Sequence, residues 1–370
     1  MDFLDLAVLF GGLGLFLYGI KLMTGGLEAA AGDRLRGGLK SLTRNRFSAV
    51  AFGTGITAVI QSSGATTVIL IGFVDAGLLT LEQAFFVGMG ANIGTTITAQ
   101  LIAFNFIRLA PLILFAGVIL IFFIKKKRVQ LIGQIIGGLG ILLVGMSMMS
   151  QAVIPLKEWP PFLNMLSSFS NPLNGFLAGL LVTLVIQSSS ATMGIMQAFA
   201  LQGIVGLDAA VYVILGLNVG TCIMPILASM GSGNTARRTA VAFLFYNLVG
   251  AGVFALLLPV LPVTRWVESW SPGDVVRQIA NFHTFFNIAS AVLFIGFPQI
   301  LIWMSGKVVR DSGVTKNNRA KINKNARLFR RCLKADKLLF LFNLQYVYNR
   351  FIKDSLSFFG ESSVLLDLLR

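Results

Sequence analysis

The chain has 370 residues, of which 55% are hydrophobic and only 12% are charged, and its formal net charge is +15. Because soluble domains carry about 25% charged residues, this composition excludes an ordinary soluble domain and predicts an all-α polytopic membrane protein. The two cysteines, Cys222 and Cys332, lie far apart in the chain, so they do not indicate a disulfide framework.

Seven apolar runs have the length of about 17 to 25 residues that spans hydrocarbon as a helix. We expect crossings in the runs 3–23, 84–104, 107–124, 129–149, 208–230, 238–261 and 283–304. The first run is too long and too rich in glycine for a cleaved signal peptide, so we interpret it as a permanent helix. The lipid bilayer is therefore an expected partner.

The positive charge lies beside the apolar runs and in the C-terminal tail. Residues 306–370 contain 14 Lys and Arg against five Asp and Glu. This distribution is the positive-inside signature, and no recognition motif accompanies it, so we expect no nucleic-acid partner. The same rule predicts a multi-pass protein of the cell (inner) membrane with its N-terminus outside and its C-terminus in the cytoplasm.

The first third of the chain recurs at a constant offset of 126 residues. Three blocks match without a gap: 11–23 with 137–149, "QSSGAT" at 61–66 with "QSSSAT" at 187–192, and "GANIGTT" at 90–96 with "GLNVGTC" at 216–222. Blocks in one register over such a distance indicate a true duplication. Internal repeats of this kind are typical of secondary transporters.

Basic loops predict that the two copies have opposite orientations. The loop 21–46 and the basic residues 125–128 are both expected in the cytoplasm. Between them, 47–79 is predicted to be a re-entrant hairpin, because neither flank of its polar break reaches across the bilayer. The first copy then makes three crossings, and an odd number inverts the second copy. The predicted segments are repeat 1 at 1–124, repeat 2 at 125–261 with its hairpin at 174–206, an outer loop and final helix at 262–305, and a basic cytoplasmic tail at 306–370.

The polar tips of the two hairpins predict an enclosed site. Non-helical backbone within a bilayer leaves peptide groups unpaired unless it lines a cavity, and hairpins entering from opposite faces bring their tips together near the midplane. Helix N-termini and hydroxyl groups suit a small tetrahedral oxyanion, and the oxygens of Gln61 and Gln187 suit a hard cation such as sodium. The predicted binding residues at the tips are Gln61, Ser62, Ser63, Thr66, Gln187, Ser188, Ser189 and Thr192. We expect this cavity to offer no Arg or Lys.

The second duplicated motif has a structural and a functional interpretation. Its glycines, spaced by four, indicate close helix packing. The polar residues Asn92, Thr95, Asn218 and Thr221 recur at one register, within what we expect to be continuous spanning helices. We predict that they support the site, the alternative being hydrogen bonds between helices.

The other polar residues are expected to have structural roles. Asp75 has no acidic counterpart and is expected near the water-accessible outer end of its hairpin, although a cation role is an alternative. Glu82 and Asp208 are expected to stabilise helix N-termini. His283 is expected to start the last helix as a cap or interfacial group. The remaining pair, Asn247 and Asn287, is interpreted as helix-packing polar residues.

The motif pairs "QSSGATT" with "GANIGTT" and "QSSSATM" with "GLNVGTC" resemble those of the type II sodium/phosphate cotransporter family, in particular its bacterial members. The resemblance covers about residues 3–305. It implies sodium-coupled uptake of inorganic phosphate by alternating access, with an inverted-repeat fold and the tip residues as the substrate and ion sites. Sodium would be held by Gln61, Gln187, Ser62, Ser188, Thr66 and Thr192. Two positions depart from the pattern, namely Gly64 in place of a third serine and Cys222 in place of a threonine.

The resemblance leaves several alternatives open. Hydroxyls and helix N-termini do not sharply separate phosphate from sulfate or arsenate, and an anion channel has a similar composition. An intramembrane enzyme that uses Ser62 or Ser188 lacks a candidate base nearby, so we expect no enzyme activity. We expect no cofactor beyond sodium as the coupling ion. A homo-oligomer is compatible with the sequence, which does not decide the oligomeric state.

Overall fold

A computed structural model of the chain describes residues 2–31, 45–104 and 106–310, and no β-strand occurs in these ranges. Their α-helices are α1 Phe3–Ala31, α2 Arg46–Ile60, α3 Ser63–Asp75, α4 Leu81–Ala103, α5 Ala110–Phe123, α6 Lys127–Ala152, α7 Pro160–Ser167, α8 Pro172–Ile186, α9 Ser189–Leu201, α10 Leu207–Gly220, α11 Ile223–Ser229, α12 Asn234–Leu257, α13 Val263–Trp270, α14 Val275–Ile295 and α15 Pro298–Val308. Short 3₁₀ turns are Phe106–Leu109, Ile154–Glu158 and Ser168–Ser170.

Seven segments of the described residues are long and apolar enough to cross a membrane, and each overlaps one of the seven predicted runs. The predicted all-α polytopic class is therefore confirmed. Most of the basic loop at 32–44 and the tail from 311 onward, with Cys332, lie outside the described residues. Apart from Ala76–Leu78, the described residues belong to one compact unit.

Helices α1 and α6, which carry the first duplicated block, pack against each other along a glycine seam. A Cβ atom added to Gly12 would lie 2.8 Å from the carbonyl oxygen of Gly145, and one added to Gly19 would lie 2.7 Å from that of Gly138. Only glycine allows backbones to approach this closely. Along this contact the residue number rises on α1 while it falls on α6, so the two equivalent helices run antiparallel.

A second kind of seam joins each hairpin to the helix that follows it. A Cβ atom on Gly90 of α4 would lie 2.0 Å from the carbonyl oxygen of Val50 on α2, and one on Gly216 of α10 would lie 1.9 Å from that of Phe176 on α8. The two contacts differ in residue number by 126 on both sides. The glycines of the second motif thus have the packing role that their spacing predicts. Three further glycines confined by backbone are Gly53, Gly94 and Gly179.

Both predicted hairpins are helices broken at one position in the chain. Helices α2 and α3 are separated by Gln61 and Ser62, and α8 and α9 by Gln187 and Ser188. Each of the four helices has 13 to 15 residues, which is shorter than a spanning helix of about 20 residues. The two broken hairpins of the predicted fold class are therefore present.

Proline interrupts the helices at two places that the sequence analysis did not predict. The last apolar run ends at Ile295 and a new helix begins at Pro298. The second copy of the "GxNxGT" motif lies in the middle of the span Leu207–Ser229, as expected, but the helix is interrupted there, because α10 ends at Gly220 and α11 begins at Ile223. In both places a proline, Pro298 or Pro225, lacks an N–H and clashes with the carbonyl four residues earlier.

The long connection before the second hairpin is also largely helical. It contains the helix Pro160–Ser167 and two 3₁₀ turns. Together with the turn after it, this helix is bent by 109° relative to α8. Because the chain turns so sharply before α8, this helical segment is not part of the second hairpin.

Candidate functional site

The two breaks share one unusual backbone geometry. Gln61 and Gln187 have φ values of 56° and 55°, and no other non-glycine residue in the described ranges has a positive φ. The N–H of Gln61 donates to the carbonyl oxygen of Thr57 at 2.6 Å, and that of Gln187 to Thr183 at 2.8 Å, as in a left-handed helix C-cap. This conformation costs a non-glycine residue about 1 kcal/mol. Strain kept at the same register in both copies points to a function.

Two threonine pairs close the hairpins just behind the tips. Thr57 Oγ1 donates to Thr66 Oγ1 at 3.0 Å, and Thr183 Oγ1 donates to Thr192 Oγ1 at 3.1 Å. All four residues are buried. Thr66 and Thr192, which the sequence predicts as ligands, each donate to the serine carbonyl of their own tip as well. In this structure they brace the hairpins.

The serines that follow the breaks cap the second helix of each hairpin. Ser62 Oγ accepts from the amide of Ala65 at 3.1 Å, and Ser188 Oγ accepts from that of Ala191 at 3.2 Å. The amides before these two, at the first positions of α3 and α9, precede the first intrahelical hydrogen bond. They are therefore available, with the positive end of the helix dipole, to an anion at the tip.

Both tips line a single cavity of about 470 Å³. Of the twelve predicted binding residues, those that line it are Gln61, Ser62, Ser63, Gln187, Ser188, Ser189 and Thr221. Ser190, Gly64 and Met224 complete this part of the wall. The duplicated polar segments thus contribute to one common site.

The other polar residues of the second motif do not line this cavity. Asn92 Nδ2 donates to Asn247 Oδ1 at 2.7 Å, and Asn92 borders a second cavity of about 10 Å³ with Ser63 and Thr221. That volume corresponds to about one water molecule. Asn218 donates to a backbone carbonyl four residues earlier, as Thr95 does. Neither of these two residues borders either cavity.

The sequence did not identify one wall of the main cavity, which belongs to α1. Leu17, Ile20, Thr24 and Gly25 line it, together with the two charged residues Lys21 and Glu28. The expectation that the cavity offers no Arg or Lys is therefore wrong. The signal was present in the sequence, because polar residues at 21, 24 and 28 fall on one face of a helix.

A further residue that the sequence analysis did not identify is Thr98, two residues beyond the motif on α4. Its hydroxyl donates to Gln61 Oε1, and Gln61 Nε2 donates to the carbonyl of Ala58. Gln61 is only 4% exposed as a result. The side chain of Gln187 is exposed.

The remaining polar residues lie where their predicted structural roles place them, with one exception. Asp75 ends α3 and accepts from the amide of Gly233 at 2.7 Å, and Glu82 and Asp208 lie in the first turns of their helices. His283 is the exception, because it lies in the middle of α14 and is 2% exposed rather than capping the helix. The helix begins earlier than expected, where Asp274 accepts from the amide of Arg277.

The two buried asparagines that were assigned to helix packing make different contacts. Asn247 on α12 accepts from Asn92 and donates to the carbonyl of Phe243 and to Cys222 Sγ. Asn287 on α14 donates to the carbonyl of His283. Cys222 is a free, buried thiol.

The fold and the site define a multi-pass membrane protein whose duplicated helix breaks line one internal cavity, which is the architecture of secondary transporters. The family model described as Na+/Pi-cotransporter matches residues 15–151 and 161–269. The chain belongs to this family.

The chain is also similar to individual proteins. The chain is 33% identical to "Uncharacterized protein YqeW" of Bacillus subtilis over 287 residues, which are 77% of this chain and 92% of that protein. It is 27% identical to "Putative inorganic phosphate export protein YjbB" of Salmonella typhimurium over 310 residues, 83% of this chain and 56% of that protein. It is 28% identical over 169 residues, 43% of this chain and 23% of the relative, to "Sodium-dependent phosphate transport protein 2B" of Homo sapiens. The chain thus spans about half the length of the YjbB relative. No solved structure matches the chain.

Proposed function

We propose that this chain is a secondary active transporter that couples the uptake of inorganic phosphate to sodium. The observation that carries the proposal is the common cavity, because it gathers both "QSS" tips at one place. Membership of the Na+/Pi-cotransporter family supports the identity of the two substrates. The name of the human relative, which contains sodium and phosphate, supports the same pair.

The chemistry of the tips suits a tetrahedral oxyanion. Two helix N-termini, α3 and α9, begin at Ser63 and Ser189, and both residues line the cavity. Each terminus presents amide donors and a partial positive charge. Serine hydroxyls add donors that can rotate to match the ligand. Phosphate, with four oxygens, would accept from both hairpins at once.

Sodium would be bound by neutral oxygens. Among the described residues, no three His, Cys, Asp or Glu side chains cluster, whereas backbone carbonyls and Gln, Ser and Thr oxygens are concentrated at the tips. We assign the ion to the oxygens of Gln61, Ser62, Thr66 and their equivalents Gln187, Ser188 and Thr192. Carrying a dianion alone into a cell that is negative by 100 mV costs about 4.6 kcal/mol, at ~2.3 kcal/mol per charge, and the entry of sodium offsets this cost.

Alternating access would arise from the relative movement of two inverted copies. The antiparallel seam between α1 and α6 supports an inverted arrangement, because these helices carry equivalent blocks. The contacts between hairpin and following helix at Gly90 and Gly216 are equivalent, which supports two units with similar internal packing. In this arrangement the hairpins enter from opposite faces of the cell membrane, with the N-terminus outside and the C-terminus in the cytoplasm.

Phosphate export is a second candidate function. It is favoured by the name of the YjbB relative, which matches 83% of this chain. The same cavity would serve both directions, because a carrier with one alternating site moves its substrate down the combined gradient. The direction of transport is thus a matter of gradients and of the affinities on the two faces.

The proposal is tested by radiolabelled phosphate uptake into proteoliposomes that contain the purified protein. Uptake is expected with an inward sodium gradient and is expected to disappear when potassium replaces sodium. Sulfate and arsenate as competitors separate phosphate from other oxyanions. Uptake that follows the phosphate gradient alone, and never exceeds it, would instead show a channel.

A further inference from the structure

The wall that α1 contributes to the cavity is polar along one line. Lys21, Thr24 and Glu28 are spaced by three and four residues and all border the cavity, so they lie on one face of the helix. The hydroxyl oxygen of Thr24 is buried and has no hydrogen-bond partner within the described residues. A helical threonine ordinarily donates to a carbonyl of the preceding turn. Thr24 therefore has an unpaired polar atom that is buried beside this wall.

The packing of α9 against α1 sets the height of Lys21 relative to the second tip. A Cβ atom on Gly194 would lie 2.5 Å from the ring of Phe16, so these two residues are level. Further along α9, Gln202 donates to Ser150 of α6 at 2.8 Å, beyond the level at which Gly145 meets Gly12 of α1. Helix α9 thus runs antiparallel to α1. Ser189, five residues before Gly194, then lies near the height of Lys21, five residues after Phe16.

Two unlike charges are thereby ordered along the cavity. Lys21 is near the height of the α9 N-terminus, where the amide donors of the second tip lie, and Glu28 lies two helical turns, about 10 Å, further along α1. They form no ion pair with any described residue. The ammonium group of Lys21 is therefore available to an anion in the cavity, and the helix dipole of α9 adds to its attraction for an anion.

The second copy offers no such charge. At the offset of 126 residues, Lys21 corresponds to Ser147 and Glu28 to Ile154. Ser147 accepts a hydrogen bond from Gln151 on its own helix and does not border the cavity. Inverted copies that exchange their roles in alternating access would therefore present Lys21 to the substrate on only one face of the membrane.

We propose that Lys21, with Thr24, is an anion-binding residue that raises the affinity for the transported oxyanion on one face only, the face toward the C-terminal end of α1. Glu28 opposes it electrostatically from the C-terminal end of the same line. This inference rests on the proposed function for its substrate. It assigns a specificity and affinity role to α1, outside the duplicated "QSS" tips.

The experiment measures the phosphate KM from each face in proteoliposomes of known orientation. Replacing Lys21 by Gln is expected to raise the KM about tenfold on one face, because a charge-assisted hydrogen bond is lost, and to leave the other face unchanged. Lys21→Arg keeps the charge and should retain most of the affinity. Lys126→Gln, at an exposed position away from the cavity, is the matched control.

Glu28→Gln gives a test of opposite sign. Removing a negative charge about 10 Å from the anion should lower the KM about twofold on the same face. Equal KM changes on both faces, or no change in Lys21→Gln while that variant elutes and unfolds like wild type, would overturn the inference. The second result is also the one expected if Lys21 is only a cytoplasmic membrane anchor.

The proposed function can fail separately. Wild-type proteoliposomes without sodium-dependent uptake would refute sodium coupling, and calorimetric binding of phosphate to the purified protein then tests Lys21 directly. Weaker phosphate binding in Lys21→Gln than in Lys126→Gln would support the inference. Equal binding in the two variants, or no binding to the wild type, would overturn it.

Discussion

Gln61 and Gln187 occupy equivalent turns with φ values within 1° of each other, yet Gln61 is 4% exposed and Gln187 is exposed. The difference comes from the helix that follows each hairpin. Thr98 donates to Gln61, whereas the equivalent residue in the second copy, Met224, cannot donate a hydrogen bond and lies against Gly64 of the first tip. Duplication thus kept the backbone of the two tips and changed the surroundings of one side chain. The comparison shows that a site built from two copies is not symmetric in its ligands.

The glycine seams that support the two tips give the largest expected effect. A Cβ atom on Gly53 would lie 1.9 Å from the carbonyl oxygen of Val87, and one on Gly179 would lie 2.0 Å from that of Val213. Gly53→Ala and Gly179→Ala should each destabilise the protein by about 3 kcal/mol through overpacking. Thermal unfolding in detergent measures this. Gly55→Ala, which faces open space, is the control; equal melting temperatures for all three variants would contradict the symmetric seams.

Loss of either glutamine should stop transport but affect stability differently. Gln61→Ala and Gln187→Ala are both expected to reduce sodium-dependent phosphate uptake to background. Only Gln61→Ala leaves the buried Thr98 hydroxyl without its acceptor, at a cost of about 1 to 3 kcal/mol. Uptake assays and thermal unfolding of the same preparations separate the two effects. Normal transport in both variants would refute the site, and a melting temperature lowered equally in both would refute the difference between the tips.

Substitutions at position 98 and at its sequence equivalent, 224, test the difference between the two glutamines. Thr98→Val removes the hydroxyl at almost constant volume and should destabilise the protein by about 1 kcal/mol, because one hydrogen bond to Gln61 is lost. The equivalent residue, Met224, lies against Gly64 of the first tip, so Met224→Thr, which supplies no donor to Gln187, is the control. Sodium activation curves of both variants measure whether the hold on Gln61 matters for the ion. A Thr98→Val curve identical to that of the control would mean that this difference has no role in coupling.

The smallest effect is expected where the tips differ in composition. Gly64 stands at the position of Ser190, and a Cβ atom there would lie 3.6 Å from Met224, an ordinary contact. Gly64→Ser should therefore change the free energy of unfolding by no more than about 0.5 kcal/mol. Its phosphate uptake should remain within a factor of about two, which corresponds to ~0.4 kcal/mol. Loss of uptake in a folded Gly64→Ser variant would show that the missing serine matters.

Much of the fold could be predicted because the bilayer restricts the possibilities. Apolar runs of spanning length indicated the seven crossings, and the polar breaks at Gln61 and Gln187 indicated hairpins, since unpaired backbone is costly in lipid. The glycine spacing in the second motif indicated close packing. The boundaries at Pro225 and Pro298 were missed, although proline itself carries the reason in its absent N–H group.

The site could be predicted only in part. The tips were identified by their repetition, but the wall from Lys21 to Glu28 was not, because these residues are read as the basic flank of a membrane helix when the partner of that face is unknown. Thr98 was missed for a similar reason, since a single threonine in an apolar helix has no pattern. Residues that act through a neighbour from another part of the chain leave no local signal.

What the sequence by itself determined is the set of crossings, the duplication at an offset of 126 residues, and the two positions at which a helix must break. These follow from hydrophobic length and from the cost of unpaired peptide groups, which are local properties. Only the tertiary structure decided which side chains share the cavity, which glutamine is held and which is free, and that a lysine of α1 reaches the wall. Those outcomes depend on how helices distant in sequence pack together, and the glycine seams that set their distances act between elements rather than within one.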